Sequence, residues 1–162
     1  MFAGDNNGRF PHQVAVTNGG SMELIGTGNP ALHFQTLSNY VQGYWGKFHC
    51  PADRSRQPAT NRFVLTVSNV SYFLSMDATP QATNTILAGD RNLQLAGKPV
   101  KPGLFTLLAG ADVGWTREMH FTFRGAPSGN ILFTDAHVEY WRTNLPAVIR
   151  HQALPANRLA VP

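Results

Sequence analysis

The segment GNILFTDAHVEYW, residues 129–141, decides the fold class of this chain. Its two apolar runs, residues 131–134 and 137–141, are rich in β-branched and aromatic side chains, and the Asp135-Ala136 dipeptide separates them. This pattern predicts an antiparallel hairpin. Two-residue hairpin turns favour Asp-Gly because both central residues take positive φ. We therefore expect Ala136 to cost about 1 kcal/mol or to change the turn type.

Outward from this hairpin, β-rich runs recur along the chain. Strands are predicted at residues 13–17, 22–25, 63–67, 70–76 and 85–89, and Phe121 and Phe123 alternate with Thr122. Residues 96–116 are predicted to be irregular, since prolines and glycines interrupt them.

Two helices complete the prediction. The first lies near residues 30–43, where Asn29 provides a cap and Pro30 occupies the first helical position. The second is short, lies near residues 144–152, and is capped by Thr143 or Asn144.

Composition favours one folded domain over residues 1–162. Only 14% of the residues are charged, and ten Phe, four Tyr and three Trp make disorder implausible. Fifteen Gly and 11 Pro argue against a coiled coil or a helical bundle. The expected fold is α+β, with an antiparallel sheet of four or more strands and few short helices.

Charge and cysteine content narrow the function classes. The net charge is +4, but the basic residues are spread from Arg9 to Arg158 without a basic stripe, so a nucleic-acid partner is not expected. Cys50 is the single cysteine, which excludes an intrachain disulfide and a multi-cysteine zinc site. Its simplest role is that of a small buried apolar residue. No apolar run has the length of a membrane span.

The first residues have the pattern of a helix end. The segment GDNNG, residues 4–8, places Asn and Gly where a helix C-cap requires positive φ. We therefore expect the chain to be cut from a longer polypeptide.

One group of side chains has the composition of a metal or acid–base site. Asp135 and His137 flank a turn, and His120 or Asp90 would supply a third ligand of a zinc-type site. The preferred interpretation is a polar hairpin face without metal, in which Asp135 binds turn amides and His137 and Glu139 share one side of a strand.

Asp90 and Arg91 form a second polar pair, directly after a predicted strand. We interpret them as an ion pair that braces the strand end, with Arg91 able to clamp a carboxylate through two hydrogen bonds. Asp90, Arg91 and Asp135 are thus expected to be structural residues.

Five segments in order resemble a known family. They are FHCPAD (48–53), NVSYF (69–73), ILAGDRN (86–92), GNILFTDAHV (129–138) and NRLAVP (157–162). Together they resemble the soluble domain of prepilin-type proteins of the kind found in Planctomycetes and Verrucomicrobia, which are related to the pseudopilins of type II secretion. Two features depart from that pattern: Ala136 replaces the usual Gly, and the insertion between His120 and the hairpin is longer.

The resemblance implies a pilin-like head whose N-terminal hydrophobic helix is missing from this chain. That helix follows a cleaved and methylated leader, anchors the protein in the membrane and later packs in a fibre. The implied function is that of a structural subunit of a pseudopilus, with no enzymatic activity, cofactor or metal. Its partners would be other pseudopilin subunits and the secretion machinery. Its location would be the cell envelope, anchored in the inner membrane with the head in the periplasm or outside the cell.

Two functions of other classes remain open. One is a metal-dependent hydrolase or lyase that uses His120, Asp135 and His137. The other is a carbohydrate- or peptide-binding module, which predicts a concave aromatic patch.

Overall fold

A computed structural model describes residues 2–142 and 154–162 of the chain. Within these residues there are two short α-helices, α1 (Phe2–Asp5) and α2 (Pro30–Gln35), several 3-10 turns and ten strands. The strands are β1 (Tyr72–Ser75), β2 (Ile86–Asp90), β3 (Leu93–Leu95), β4 (Lys98–Pro99), β5 (Gly103–Leu108), β6 (Val113–Trp115), β7 (His120–Phe121), β8 (Pro127–Phe133), β9 (Val138–Trp141) and β10 (Ala156–Val161). None of the described helices has both the length and the apolar character needed to cross a bilayer. The helix predicted near residues 144–152 lies outside the described residues.

The strands form two antiparallel sheets. The main sheet has seven strands in the order β5-β10-β1-β2-β8-β7, with β9 paired to β8. The smaller sheet has the order β4-β3-β6. A mostly antiparallel architecture with few short helices agrees with the predicted α+β class.

Each face of the main sheet has its own apolar core. Successive strand residues point to opposite faces, so Phe73 joins one buried cluster with Trp115 and Ile131, while its neighbour Leu74 joins the other with Phe34. The first cluster lies between the two sheets, and the second lies under α2 and the 3-10 turns. The sheet is therefore the central layer of the molecule.

The hairpin of β8 and β9 is confirmed, with a turn that differs from the two-residue type. The backbone N–H of Ala136 donates to the carbonyl of Phe133, and Ala136 itself has φ 71°. These contacts define a three-residue loop whose last residue is left-handed, a position that normally favours Gly. Ala136 therefore carries the conformational cost predicted for it.

Both helix boundaries read from the sequence are present. Helix α1 is followed by Asn7 and Gly8 with φ 53° and 69°, and the N–H of Gly8 donates to the carbonyl of Ala3 at 2.7 Å. This is the hydrogen bond of a Schellman cap. The side chain of Asn29 accepts a hydrogen bond from the N–H of Ala31 at 3.0 Å, as a helix N-cap does.

Several predicted elements were wrong. Helix α2 ends at Gln35 rather than near residue 43. Residues 13–17, 22–25 and 63–67 do not form strands, because local hydrogen bonds satisfy their backbone in 3-10 turns. At the third site the side chain of Asn61 accepts from two backbone N–H groups and so caps a turn.

The region from 96 to 116 was predicted to be irregular and instead contains strands. Strand β5 pairs with β10 over six residue pairs, from Gly103 with Val161 to Leu108 with Ala156. The partner lies some fifty residues away in sequence. Local patterns of Gly and Pro therefore understate the strand content of this region.

Candidate functional site

Three side chains with metal-binding or catalytic chemistry meet near the end of β2. They are Cys50, Asp90 and His120, and one ligand atom from each lies within 4.8 Å of the other two. The Sγ of Cys50 is 3.3 Å from the Nε2 of His120, and the Oδ2 of Asp90 is 3.5 Å from the same nitrogen. Cys50 and Asp90 are buried, whereas His120 is partly exposed.

Three elements bring these residues together. Asp90 is the last residue of β2 and His120 is the first residue of β7, and both strands pair with β8. Cys50 lies in the loop before Pro51, where Pro51 disfavours a helical conformation. This loop is fixed to the sheet because the N–H of Ser71 donates to the carbonyl of Phe48 at 2.8 Å.

Burial shapes the electrostatics of the site. It raises the pKa of Asp90, an effect opposed by the backbone N–H and side-chain amide of Asn130, which donate to Oδ2 at 2.6 and 3.0 Å. Burial also raises the pKa of the Cys50 thiol, and the nearby Asp90 carboxylate raises it further. Burial is the main cause that raises the pKa of the Tyr72 hydroxyl to about 12, and the nearby Cys50 and Asp90 raise it further. All three shifts favour the protonated, uncharged forms of these groups.

The geometry does not suit a Cys–His–Asp catalytic relay. In such a relay the histidine uses one ring nitrogen for the nucleophile and the other for the carboxylate. Here Nε2 of His120 faces both Cys50 and Asp90. The three ligand atoms therefore converge on one another.

A second polar group, centred on Arg91, lies beside this cluster. Its Nε and Nη2 donate to the two carboxylate oxygens of Asp53 at 2.7 and 2.9 Å, and Nη1 donates to Glu118 at 2.9 Å. The predicted two-point clamp of a carboxylate is thus present. Its carboxylate belongs to Asp53, and the predicted pairing with Asp90 is corrected, because the side chains of these successive residues diverge.

Asp135 and His137 lie on the hairpin and contact each other. Oδ1 of Asp135 accepts the N–H of His137 at 3.2 Å and also contacts the ring nitrogen Nδ1. This hydrogen bonding raises the pKa of His137 and lowers that of Asp135. The other ring nitrogen of His137 lies 3.3 Å from Glu139, as expected for a polar hairpin face.

The structure thus places the residues of the predicted zinc-type site in two separate groups. His120 contacts Cys50 and Asp90, whereas Asp135 and His137 contact each other. Within residues 2–142 and 154–162, the potential metal-binding group of three includes neither Asp135 nor His137.

Sequence reasoning missed the contact between Cys50 and His120. The ring of His49, the neighbour of Cys50 in sequence, lies 3.3 Å from the carbonyl oxygen of Asp53. Cys50 is buried, as predicted. No local pattern pairs Cys50 with His120, because the two residues are 70 positions apart in the chain.

Comparisons with known proteins add no information about these residues. The sequence matches no protein-family model, and no significant match was found among curated proteins or solved structures.

Proposed function

We propose that this chain is the head domain of a structural subunit of a pseudopilus or pilus-like fibre, belonging to a type II secretion-like system. The subunit would assemble through a hydrophobic N-terminal helix joined to α1. The observation that carries the proposal is an apolar groove on the main sheet, directly beside α1.

The floor of the groove is a row of apolar side chains in register across three strands. Leu74 of β1 pairs with Ala88 of β2, which pairs with Leu132 of β8. Residues directly opposite each other in adjacent strands share one face of a sheet. The groove they line has a volume of about 660 Å³ and is bordered on one side by Phe34 of α2. A surface of this kind favours an apolar partner.

Helix α1 lies at the border of the same groove. Phe2 and Ala3 line it, and the ring of Phe2 packs edge-on against Tyr40 at 5.8 Å between centroids. A helix that preceded Phe2 in a longer polypeptide would be continuous with α1 and would lie over the apolar row. This arrangement is the one that the resemblance implies for a pilin-like head.

In this proposal the heads do no chemistry. They contact other subunits of the fibre through heterologous surfaces, which propagate a helical filament because the rotation between subunits does not close. The fibre would be assembled by the secretion machinery at the inner membrane, with the heads in the periplasm or outside the cell.

The test begins with the gene in its native host. We expect the reading frame upstream of Met1 to encode a leader followed by about 20 apolar residues. A chromosomally tagged protein should fractionate with the membrane and with sheared fibres, and mass spectrometry should find a methylated N-terminal residue. A reading frame that starts at Met1, with the protein absent from both fractions, would contradict the proposal.

A variant pair connects this test to the groove. Ala88→Arg places a charge in the centre of the apolar row, so we expect it to reduce incorporation into fibres. Thr83→Arg adds the same charge at an exposed position and is the matched control. Equal incorporation of the two variants would show that the groove does not hold the helix.

A surface ligand-binding module is the second candidate, and one observation favours it. Phe121, Phe123 and Tyr140 are exposed and line a concave surface together with Arg124 and Arg142, with a volume of about 620 Å³. Exposed rings beside cationic side chains are suited to stacking on sugars or peptides.

A glycan and peptide array would test this candidate. Phe123→Ala removes a fully exposed ring from the concave surface, and Phe63→Ala removes an exposed ring elsewhere. Binding that is lost only in Phe123→Ala would favour the module. Absence of any bound glycan or peptide would dismiss it.

A further inference from the structure

We propose that Cys50, Asp90 and His120 bind one divalent cation of intermediate softness, for which zinc is the best match. The site is independent of the proposed fibre function. It also differs from the zinc-type site predicted from sequence, since it combines the two alternative third ligands, His120 and Asp90, with Cys50 and omits Asp135 and His137.

Two of the three distances between donor atoms match the spacing that zinc requires, and the third is within 4.8 Å. Zinc binds sulfur at about 2.3 Å and nitrogen or oxygen at about 2.0–2.2 Å in a tetrahedron, so two of its ligand atoms lie roughly 3.4–3.6 Å apart. The distance between Cys50 Sγ and His120 Nε2 is 3.3 Å, and that between Nε2 and Asp90 Oδ2 is 3.5 Å. Small side-chain adjustments would therefore complete three corners around one ion.

The ligand types select the cation. A thiolate and an imidazole favour zinc over calcium or magnesium, which prefer oxygen ligands. A thiolate, a carboxylate and a neutral imidazole carry two negative charges in total, which one divalent cation neutralises. The buried site would then contain no net charge, as low-dielectric surroundings favour.

The neighbouring guanidinium of Arg91 does not neutralise the charge of these ligands. The guanidinium of Arg91 is directed to Asp53 and Glu118. In the ion pairs of residues 2–142 and 154–162, the partner of Asp90 is His120.

Surrounding hydrogen bonds hold the ligands in place. Asn130 donates two hydrogen bonds to the Asp90 carboxylate, one from its backbone N–H and one from its side-chain amide. Outer contacts of this kind orient metal ligands and adjust their affinity. The His120 side chain is 26% exposed, so a cation can reach the site from solvent and a water molecule can take the fourth position.

A bound cation would join three parts of the fold. It would connect the Cys50 loop, the end of β2 and the start of β7, whose hairpin carries the exposed rings of Phe121 and Phe123. The cation would therefore fix the position of that aromatic surface relative to the sheet.

The experiment titrates the reduced, metal-free chain with Co²⁺ and Zn²⁺. We expect one equivalent of Zn²⁺ by elemental analysis, a Co²⁺ spectrum with a thiolate charge-transfer band, and a melting temperature that rises with Zn²⁺ and falls with chelator. Cys50→Ser should abolish the charge-transfer band, and His120→Asn should abolish stoichiometric binding. His137→Ala removes the exposed hairpin histidine and should leave both unchanged.

Any one of four results would contradict the proposed cation site. The wild-type chain binds no metal, its Co²⁺ spectrum lacks a thiolate band, His120→Asn binds metal fully, or His137→Ala loses binding. Far-UV circular dichroism with chelator present establishes that the variants fold. If Cys50→Ser fails to fold, His120→Asn decides the question, because its ring is partly exposed and its removal disturbs the core less. None of these results depends on whether the chain assembles into fibres.

Discussion

The guanidinium of Arg91 binds both carboxylate oxygens of Asp53, a residue 38 positions earlier in the chain. The Asp53 side chain is fully buried, and that of Arg91 is only 11% exposed. Ser55 also contacts the same carboxylate through its hydroxyl at 2.8 Å. This pair fastens the loop that carries Cys50 to the residue that follows β2, and so positions two of the three ligands of the proposed cation site.

Removal of Arg91 should destabilise the fold strongly. Arg91→Ala leaves a buried carboxylate without its counter-charge, so we expect the free energy of unfolding to fall by about 3 kcal/mol. Urea denaturation measures this change. Glu118→Gln removes the negative charge from the exposed contact of the same guanidinium and should cost less than about 1 kcal/mol. Equal losses in the two variants would contradict the importance of the buried pair.

The same pair should give the protein a specific acid sensitivity. Burial alone would raise the pKa of Asp53, but hydrogen bonds from Arg91 and Ser55 outweigh it and lower the pKa from 3.8 to about 2. A carboxyl with a lowered folded-state pKa stabilises the protein fully above pH 3.8 and loses that contribution as the pH falls toward 2. The stability advantage of wild type over Asp53→Asn should therefore shrink by about 2 kcal/mol across this window.

The acid sensitivity due to Asp53 can be distinguished from the titration of other groups in two ways. Burial lowers the pKa of His33 to about 4, so His33 withdraws stability between pH 6.5 and 4, above the Asp53 window. Asp112→Asn, at an exposed carboxyl, is the matched control and should not reproduce the Asp53 difference. A wild-type advantage that stays constant from pH 5 to 2 would refute the assignment.

The hairpin turn offers a stabilising substitution. Ala136 has φ 71°, and Gly adopts this conformation without the steric cost of a Cβ. Ala136→Gly should raise the free energy of unfolding by about 0.5–1 kcal/mol, measured by chemical denaturation. Ala126→Gly, at an ordinary φ on the neighbouring hairpin, should lower it by a similar amount. A loss of stability in Ala136→Gly would exclude the left-handed turn.

Close packing at Gly129 should make this position intolerant of any side chain. A Cβ there would lie 2.6 Å from the indole ring of Trp115, which is buried between the sheets. Gly129→Ala should therefore cost about 2 kcal/mol of stability. Gly26→Ala places its Cβ in open space and should change the stability by less than about 0.5 kcal/mol. Thermal denaturation of the pair checks this, and equal melting temperatures would exclude the contact.

Local chemistry explains which features were predictable. The Asn29 cap, the helix end at Asn7 and Gly8, and the cost at Ala136 depend on hydrogen bonds and dihedral angles within a few residues. The strands near residues 70–76 and 85–89 were predicted because their apolar runs suit a buried sheet. Residues 13–17 show the opposite case. Their alternation suggests a strand, but a strand also needs a partner along its edge, which no local pattern reveals.

The sequence by itself determined that this chain contains an antiparallel hairpin, that a helix ends before Asn7 and Gly8 and another begins after Asn29, and that Arg91 binds a carboxylate. Only the tertiary structure decided which carboxylate that is, that β5 pairs with β10, and that Cys50 meets His120 across 70 residues. The physical reason is the distance along the chain between the residues that interact. Caps and turns are set by neighbours along the chain, whereas strand partners and converging ligands are set by the packing of the whole sheet.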